Sequence, residues 1–172
     1  ASDVYKRQIL VHVTDDVGIL LGVGSGTISD LTKLVSYKTG RRSVVVGTAP
    51  SMDGYASMNA AFVIGGHKIT YPAHYHSCIV ADTGIMKDAP MELMRAGYGD
   101  VVGKYTALSD WRLTKAVNDE HYCEITARLV QNAVDLCVAN TERYFRREED
   151  AVERMNEALI LTGISMGITG YT

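Results

Sequence analysis

Gly22-Val23-Gly24-Ser25-Gly26-Thr27-Ile28-Ser29-Asp30 is a glycine-rich turn set between an apolar run and a helical period. Ahead of it, Ile19-Leu20-Leu21 reads as a short buried strand. Behind it, Ile28, Leu31, Leu34, Val35 and Lys38 recur at helical spacing, and Gly40 supplies a stop signal. A glycine turn from strand to helix aims backbone N–H groups and the positive end of a helix at one point. That geometry suits a phosphate or pyrophosphate. The motif is G-x-G-x-G, with Thr27 where the dinucleotide fingerprint has its third glycine, so local sequence leaves open a tight turn that holds no ligand.

Working outward, Ile19 to Val23 reads as a parallel-type strand, Thr27 to Thr39 as a helix and the β-branched Ser43 to Gly47 as the next strand. This is the strand–helix–strand unit of a doubly wound sheet, whose ligands lie at the carboxyl ends of the strands. Ile9 to Val13 fits either a strand or the last turns of a helix. Ala61–Ile64, Gly65-Gly66 and Lys68–Tyr71 read as a hairpin ended by Pro72, and Ser77–Ala81 as a further strand. After Asp82 the strand signals cease. Asp88 and Pro90 mark a helix start, and helical patterns follow at Pro90–Ala96, Asp100–Lys115, Glu120–Asn140 and Glu148–Met166. The expected organisation is a partial α/β unit over 9–84 and a partial all-helical unit over 85–172.

With 172 residues, 47% hydrophobic and 22% charged, the composition is that of a soluble globular chain. A formal charge of -3 gives no footprint for nucleic acid, and no apolar run is long enough for a membrane span. Cys78, Cys123 and Cys137 are odd in number and lack paired spacing. They fit a reduced, cytoplasmic protein better than a disulfide framework or zinc ribbon. Residues 1–8 carry no signal-peptide pattern, and DVYKRQ resembles the translation of a sequencing adapter. This segment is expected to be foreign to the gene and the chain to be a fragment, as the abrupt finish at Gly170-Tyr171-Thr172 also suggests.

Two further stretches carry polar chemistry. In Thr48–Ser57 (TAPSMDGYAS), the hydroxyls of Thr48, Ser51, Tyr55 and Ser57 could bind a ribose, an amide or a phosphate. Asp53 could accept from a substrate hydroxyl; equally, Thr48, Ser51 and Asp53 could simply cap turns. In Gly97–Trp111 (GYGDVVGKYTALSDW), Asp100 could ligate a metal or cap its own helix, and Lys104 one turn on could be its i,i+4 partner. His74 and His76 share one face but have no third ligand at a defined position, so loop or surface placement is favoured over a metal site. His12, His67 and His121 are isolated. Trp111 reads as core and Arg143–Asp150 as a solvated joint of mixed charge.

Taken together in order and spacing, GVGSGTISD, TAPSMDGYAS and GYGDVVGKYTALSDW resemble the iron-containing alcohol dehydrogenase superfamily. Within it they resemble the bacterial-type sn-glycerol-1-phosphate dehydrogenases, and IVADT (79–83) and DAPMELMRAG (88–97) fit as well. The resemblance implies a Rossmann-like NAD(P)-binding domain followed by a helical metal-binding domain, with the site between them. It places the cofactor pyrophosphate on Gly24, Ser25, Gly26 and Thr27, with Asp30 supporting the turn. Thr48 and Ser51 would meet the nicotinamide half, with Ser57 close by. Asp53 would bind substrate, and Asp100 would be both a substrate contact and the first protein ligand of a zinc or nickel ion. The family's two histidine ligands have no counterpart here, since no histidine follows His121; they are expected beyond Thr172. Lys104 is the candidate cation for the substrate phosphate.

The implied activity is interconversion of dihydroxyacetone phosphate and sn-glycerol 1-phosphate by a cytoplasmic, homo-oligomeric enzyme. The alternatives are a glycerol dehydrogenase, a dehydroquinate-synthase-like cyclase and a non-catalytic cofactor-binding remnant.

Overall fold

The computed structural model describes residues 8–170, so the segment expected to be foreign lies, apart from Gln8, outside the described residues. Residues 8–12 are helical, which decides the ambiguity of that apolar run. The next elements follow the sequence pattern closely. Strand β1 (Ile19–Gly24), helix α1 (Gly26–Thr39) and strand β2 (Arg42–Gly47) come in succession. Gly40 closes α1 in the left-handed conformation that the stop signal requires.

Strands β3 (Asn59–Ile64) and β4 (His67–Pro72) pair antiparallel around Gly65-Gly66, and β5 (Cys78–Val80) returns to the first sheet. That sheet is parallel throughout, in the order β1-β2-β5, with Gly22 opposite Val45 and Val45 opposite Ile79. One face is sealed: Val45 is fully buried, and Leu31 and Leu34 of α1 meet Ala60, Phe62 and Ala73 of the hairpin region. On the other face Ile19, Leu21 and Val23 are exposed.

His76 lies in the loop between β4 and β5, as expected, but it is not a surface residue. It is buried between α1 and β2, with Nε2 3.1 Å from the Ser29 hydroxyl and Nδ1 2.9 Å from that of Ser43. Burial, aided by the positive charge of Lys33, pushes its pKa down to about 4. The ring is therefore a neutral tie between helix and sheet. His74 instead packs edge-on against Tyr37.

From α2 (Thr83–Met86) onward the chain is helical: α3 (Met91–Asn118), α4 (Glu124–Ala139), α5 (Thr141–Phe145) and α6 (Glu149–Thr169). Asp82 caps α2, its carboxylate accepting from the N–H groups of Gly84 and Ile85. The largest departure from the sequence reading is α3, which runs unbroken through Gly97 and Gly99 where two helices were expected. Its buried residues, Met94, Gly97, Val101 and Leu108, form one stripe at three-, four- and seven-residue spacing. Met94, Val101 and Leu108 share one core with Val130 and Val134 of α4 and with Val152, Met155 and Leu159 of α6. Ala49 and Met86 belong to the same core, so the loop after β2 and the short helix α2 are built into the helical half.

Trp111 is half-buried against this core and donates through its indole N–H to the His121 carbonyl. The Arg143–Asp150 joint is not wholly solvated: Tyr144 is buried and donates to the Met94 carbonyl at 3.0 Å. The surrounding ion pairs of Arg143 with Glu148 and Asp150 are substantially exposed and contribute little to stability.

The histidine tie makes the fold acid-sensitive. The unfolded ring binds a proton near pH 6.5 and the folded ring only near pH 4, so stability is full above about pH 6.5 and falls as pH drops between those values. Chemical unfolding of wild type and His76→Gln at pH 7.5 and 4.5 should show the wild-type advantage shrinking by about 2–3 kcal/mol. An equal pH dependence in both proteins would contradict the assignment.

Candidate functional site

Because β1, β2 and β5 are parallel, the segments leaving their carboxyl ends lie along one edge. These are the glycine turn, residues 48–57 and Asp82. The Thr48 N–H donates to the Gly24 carbonyl at 3.2 Å and ties the first two together. Ser25 is the N-cap of α1 in extended conformation, and its side chain makes no capping bond. The N–H groups of Gly26, Thr27 and Ile28 start the helix, where no preceding-turn carbonyl exists to accept them. Together with the helix dipole they favour negative charge at this end of α1, where Thr27 is exposed.

Asp30 pairs with Lys33 at 2.9 Å and accepts from the Ala61 N–H at 3.1 Å. It thus anchors α1 to β3. Burial raises its pKa, opposed by the Lys33 charge.

Residues 48–57 are held from several sides. Tyr55, itself buried, donates to the Ala49 carbonyl at 2.9 Å, and the Ser51 N–H turns back to the same group. Ser57 is buried, accepting from Lys33 and donating toward the carbonyls of Gly54 and Asn59. Asp53 precedes the single 3-10 turn Gly54–Ala56, yet its side chain caps nothing. Its backbone N–H donates to Asp100 Oδ2 at 2.8 Å, and its own Oδ2 lies 2.5 Å from Lys104 Nζ.

Asp100 is not a helix cap, because it sits ten residues inside α3. Nor is Lys104 its i,i+4 partner: the ammonium reaches across to Asp53. The result is two carboxylates and one ammonium meeting at the seam between strands and helices. Burial first, and then the neighbouring charge of Asp53, raises the Asp100 pKa. A site with that imbalance favours additional positive charge.

Two glycines permit this convergence. A side chain at Gly97 would collide with the Pro50 carbonyl, and one at Gly163 would collide with the Asp53 carbonyl. Helices α3 and α6 therefore rest directly on the backbone of residues 50–56. Beside Lys104 lies an apolar cavity of about 50 Å³, lined in part by Leu108, Trp111, Thr162 and Met166.

Among the described residues, no group of three or more His, Cys, Asp or Glu side chains is placed to hold a metal ion. Asp100 can contribute one ligand, so the donor set among the described residues is incomplete. The carboxylate imbalance fits a cation, whereas the number of ligands does not by itself close a site.

Lys33 was missed by the sequence reading. Its side chain is fully buried, and its ammonium contacts Asp30, the Gly54 and Asn59 carbonyls and the Ser57 hydroxyl. The Asp30-x-x-Lys33 spacing was the available signal, since residues at i,i+3 are neighbours on a helix.

Comparison with known proteins agrees with this architecture. The sequence profile of the iron-containing alcohol dehydrogenases matches residues 2–90. The glycerol-1-phosphate dehydrogenase [NAD(P)+] of Geobacillus stearothermophilus is 37% identical over 165 residues, covering 96% of this chain and 41% of that protein. The enzyme of the same name from Methanocorpusculum labreanum is 38% identical over 152 residues, covering 88% and 42%. The chain therefore spans about two-fifths of the length of these relatives. Among solved structures, a probable glycerol dehydrogenase from Sinorhizobium meliloti superposes with a TM-score of 0.80 at 22% identity, covering 99% of this chain and 50% of that one. Glycerol dehydrogenase from Schizosaccharomyces pombe gives 0.83 at 16% identity, covering 98% and 46%. At those identities the likeness concerns the fold.

The close approach at Gly97 yields a paired expectation. Gly97→Ala forces a methyl group onto the Pro50 carbonyl and should cost about 1–3 kcal/mol. Gly99→Ala, in the same helix with open space around it, should stabilise by about 0.5–1 kcal/mol. Thermal denaturation of the two variants tests this; shifts of the same sign would contradict it.

Proposed function

The chain belongs to the iron-containing alcohol dehydrogenase family, and from that premise we propose that it forms part of an NAD(P)-dependent, metal-dependent sn-glycerol-1-phosphate dehydrogenase. The observation that carries the reading is the meeting of Asp53, Asp100 and Lys104 beside the anion-binding start of α1. Curated relatives named glycerol-1-phosphate dehydrogenase [NAD(P)+] support the choice of substrate.

In this reading the N–H groups of Gly26 and Thr27, with Gly24 and Ser25, receive the dinucleotide pyrophosphate. Thr48 and Ser51 line the path toward the nicotinamide, because their loop is tied to the glycine turn. Ser57 supports that loop from beneath, and Asp30 supports α1 from the hairpin side. Asp53 accepts a hydrogen bond from a substrate hydroxyl. Asp100 orients the substrate and supplies one ligand to a divalent ion, zinc or nickel. Lys104 is shared between Asp53 and the substrate phosphate, which holds the ligand's negative charge next to the ammonium. When bound, the reduced nicotinamide supplies the hydride and the divalent cation polarises the substrate carbonyl. The carbonyl carbon would gain the hydride and its oxygen a proton drawn from solvent, giving glycerol 1-phosphate and the oxidised dinucleotide.

The fold meets these needs by excluding water where the loop is covered by α3 and α6, and by fixing the two carboxylates relative to the cofactor helix. The division into an NAD(P)-binding α/β domain (9–84) and a helical metal-binding domain (85–172) belongs to the same proposal. So do the cytoplasmic setting and homo-oligomeric assembly, which rest on the resemblance. No described helix is long and apolar enough to cross a membrane.

The test is oxidation of NADH and NADPH by the whole gene product. Dihydroxyacetone phosphate should be preferred over dihydroxyacetone by at least about a hundredfold in kcat/KM, since a site built for the phosphate discriminates strongly against its absence. Preference for the unphosphorylated triose would point to a polyol dehydrogenase, and absence of net dinucleotide oxidation would overturn the assignment. In Asp100→Asn, bound metal measured by elemental analysis should be lost while dinucleotide affinity stays unchanged. Retained metal would remove Asp100 from the ligand set.

A further inference from the structure

Among the described residues, the Lys33 ammonium is the most completely enclosed charge, and its partners point to what it does. An i,i+3 Asp–Lys pair forms readily on a helix surface and gains little from burial. Lys33 is nevertheless fully buried, a position that penalises its charge unless several acceptors compensate. Asp30 supplies one of them, at 2.9 Å. The others all lie outside α1: the Gly54 carbonyl at 2.7 Å, the Ser57 hydroxyl at 3.2 Å and the Asn59 carbonyl.

Those three acceptors bracket the segment that follows Asp53. The Gly54 carbonyl is one peptide from Asp53, and the Asn59 carbonyl opens β3. A lysine ammonium has three donors and no acceptor, so it can close such a segment from within. The same helix that starts at the glycine turn thus grips the far side of the substrate loop. Ion pairing with Asp30 alone would not place the ammonium there.

We propose that Lys33 is a positioning residue that staples residues 54–59 to α1 and thereby fixes Asp53 with respect to the dinucleotide site. The part of this inference that concerns substrate rests on the function proposed above; the stapling itself does not. The rival role is simple neutralisation of Asp30. Asp30→Asn/Lys33→Met separates the two, because it removes both charges together and leaves no unpaired carboxylate behind.

Amide hydrogen exchange, recorded without ligand, is the primary measurement. The Ala56 and Ser57 amides donate to the Asp53 and Gly54 carbonyls and report on the turn directly. In the double variant they should exchange at least about tenfold faster than in wild type, while β1 and β2 amides keep their protection. Wild-type exchange at Ala56 and Ser57 would overturn the proposal, as would uniform acceleration that includes the sheet. Should the methionine variant fail to fold, Asp30→Asn/Lys33→Gln keeps a neutral amide donor group in place and should show a smaller acceleration at the same two amides; none would again overturn it. In turnover, the double variant should raise the Michaelis constant for dihydroxyacetone phosphate by about tenfold, with a clearly smaller effect on dinucleotide affinity. Equal loss of both, or of neither, would contradict a positioning role. Absence of triose phosphate turnover in wild type would instead count against the proposed function and leave the exchange result standing.

Discussion

A single hydrogen bond, from the Asp53 N–H to Asp100 Oδ2 at 2.8 Å, sets the geometry of the seam between strands and helices. For a carboxylate in the middle of a long helix to reach a loop amide, the two backbones must lie almost in contact. That is why α3 carries Gly97 against Pro50, and why α6 carries Gly163 against Asp53. A hydrogen bond to an ionised group contributes about 1.5–3 kcal/mol. It offsets part of the cost of holding Asp100 half out of water beside a second carboxylate. Lys104 offsets more by pairing with Asp53 rather than with its own helix neighbour.

The loop between β2 and β3 consequently behaves less like a connection than like an inner layer. Buried backbone polar groups have to find partners, and here they do. Ala49 accepts from Tyr55 and Ser51, Gly54 and Asn59 accept from Lys33, and Asp53 donates to Asp100. Loops carry function because rigid elements can present them accurately. In this chain α1, α3 and α6 each contact the same short segment. The glycine turn lies on its near side, and Thr48 connects the two by a backbone hydrogen bond.

Much of the α/β half was legible in the sequence because its signals are local. The apolar run, glycine turn and helical period around residues 19–40 lead to β1, α1 and the left-handed cap at Gly40, and Gly65-Gly66 marks the hairpin. The helical half was legible as helices, but Gly97 and Gly99 were read as a break. They lie inside one helix because the buried stripe from Met94 to Leu108 continues through them, and Gly97 is small for the sake of Pro50. The meeting of Asp53 with Asp100 spans 47 positions and no local rule announces it; the family resemblance implied that they act together. His76 and Lys33 were opaque for a related reason. Each is a polar side chain whose partners come from two elements, and only packing reveals that both are buried. The contacts of Asp30 with Lys33 and Ala61 were not legible either, because its acceptor role toward Ala61 depends on where the hairpin folds.

In the function proposed, two adjacent subsites share one edge of the sheet, a dinucleotide at the start of α1 and a phosphorylated triose at Asp53, Asp100 and Lys104. Backbone amide chemical shifts, followed by NMR through successive additions of reduced dinucleotide and dihydroxyacetone phosphate, test it most directly. The account predicts that the dinucleotide moves the amides of residues 24–28 and 48–51, and that the triose phosphate then moves those of Asp53, Asp100 and Lys104. Dinucleotide shifts centred elsewhere, or a triose phosphate that leaves Asp53 and Asp100 unmoved, would contradict it.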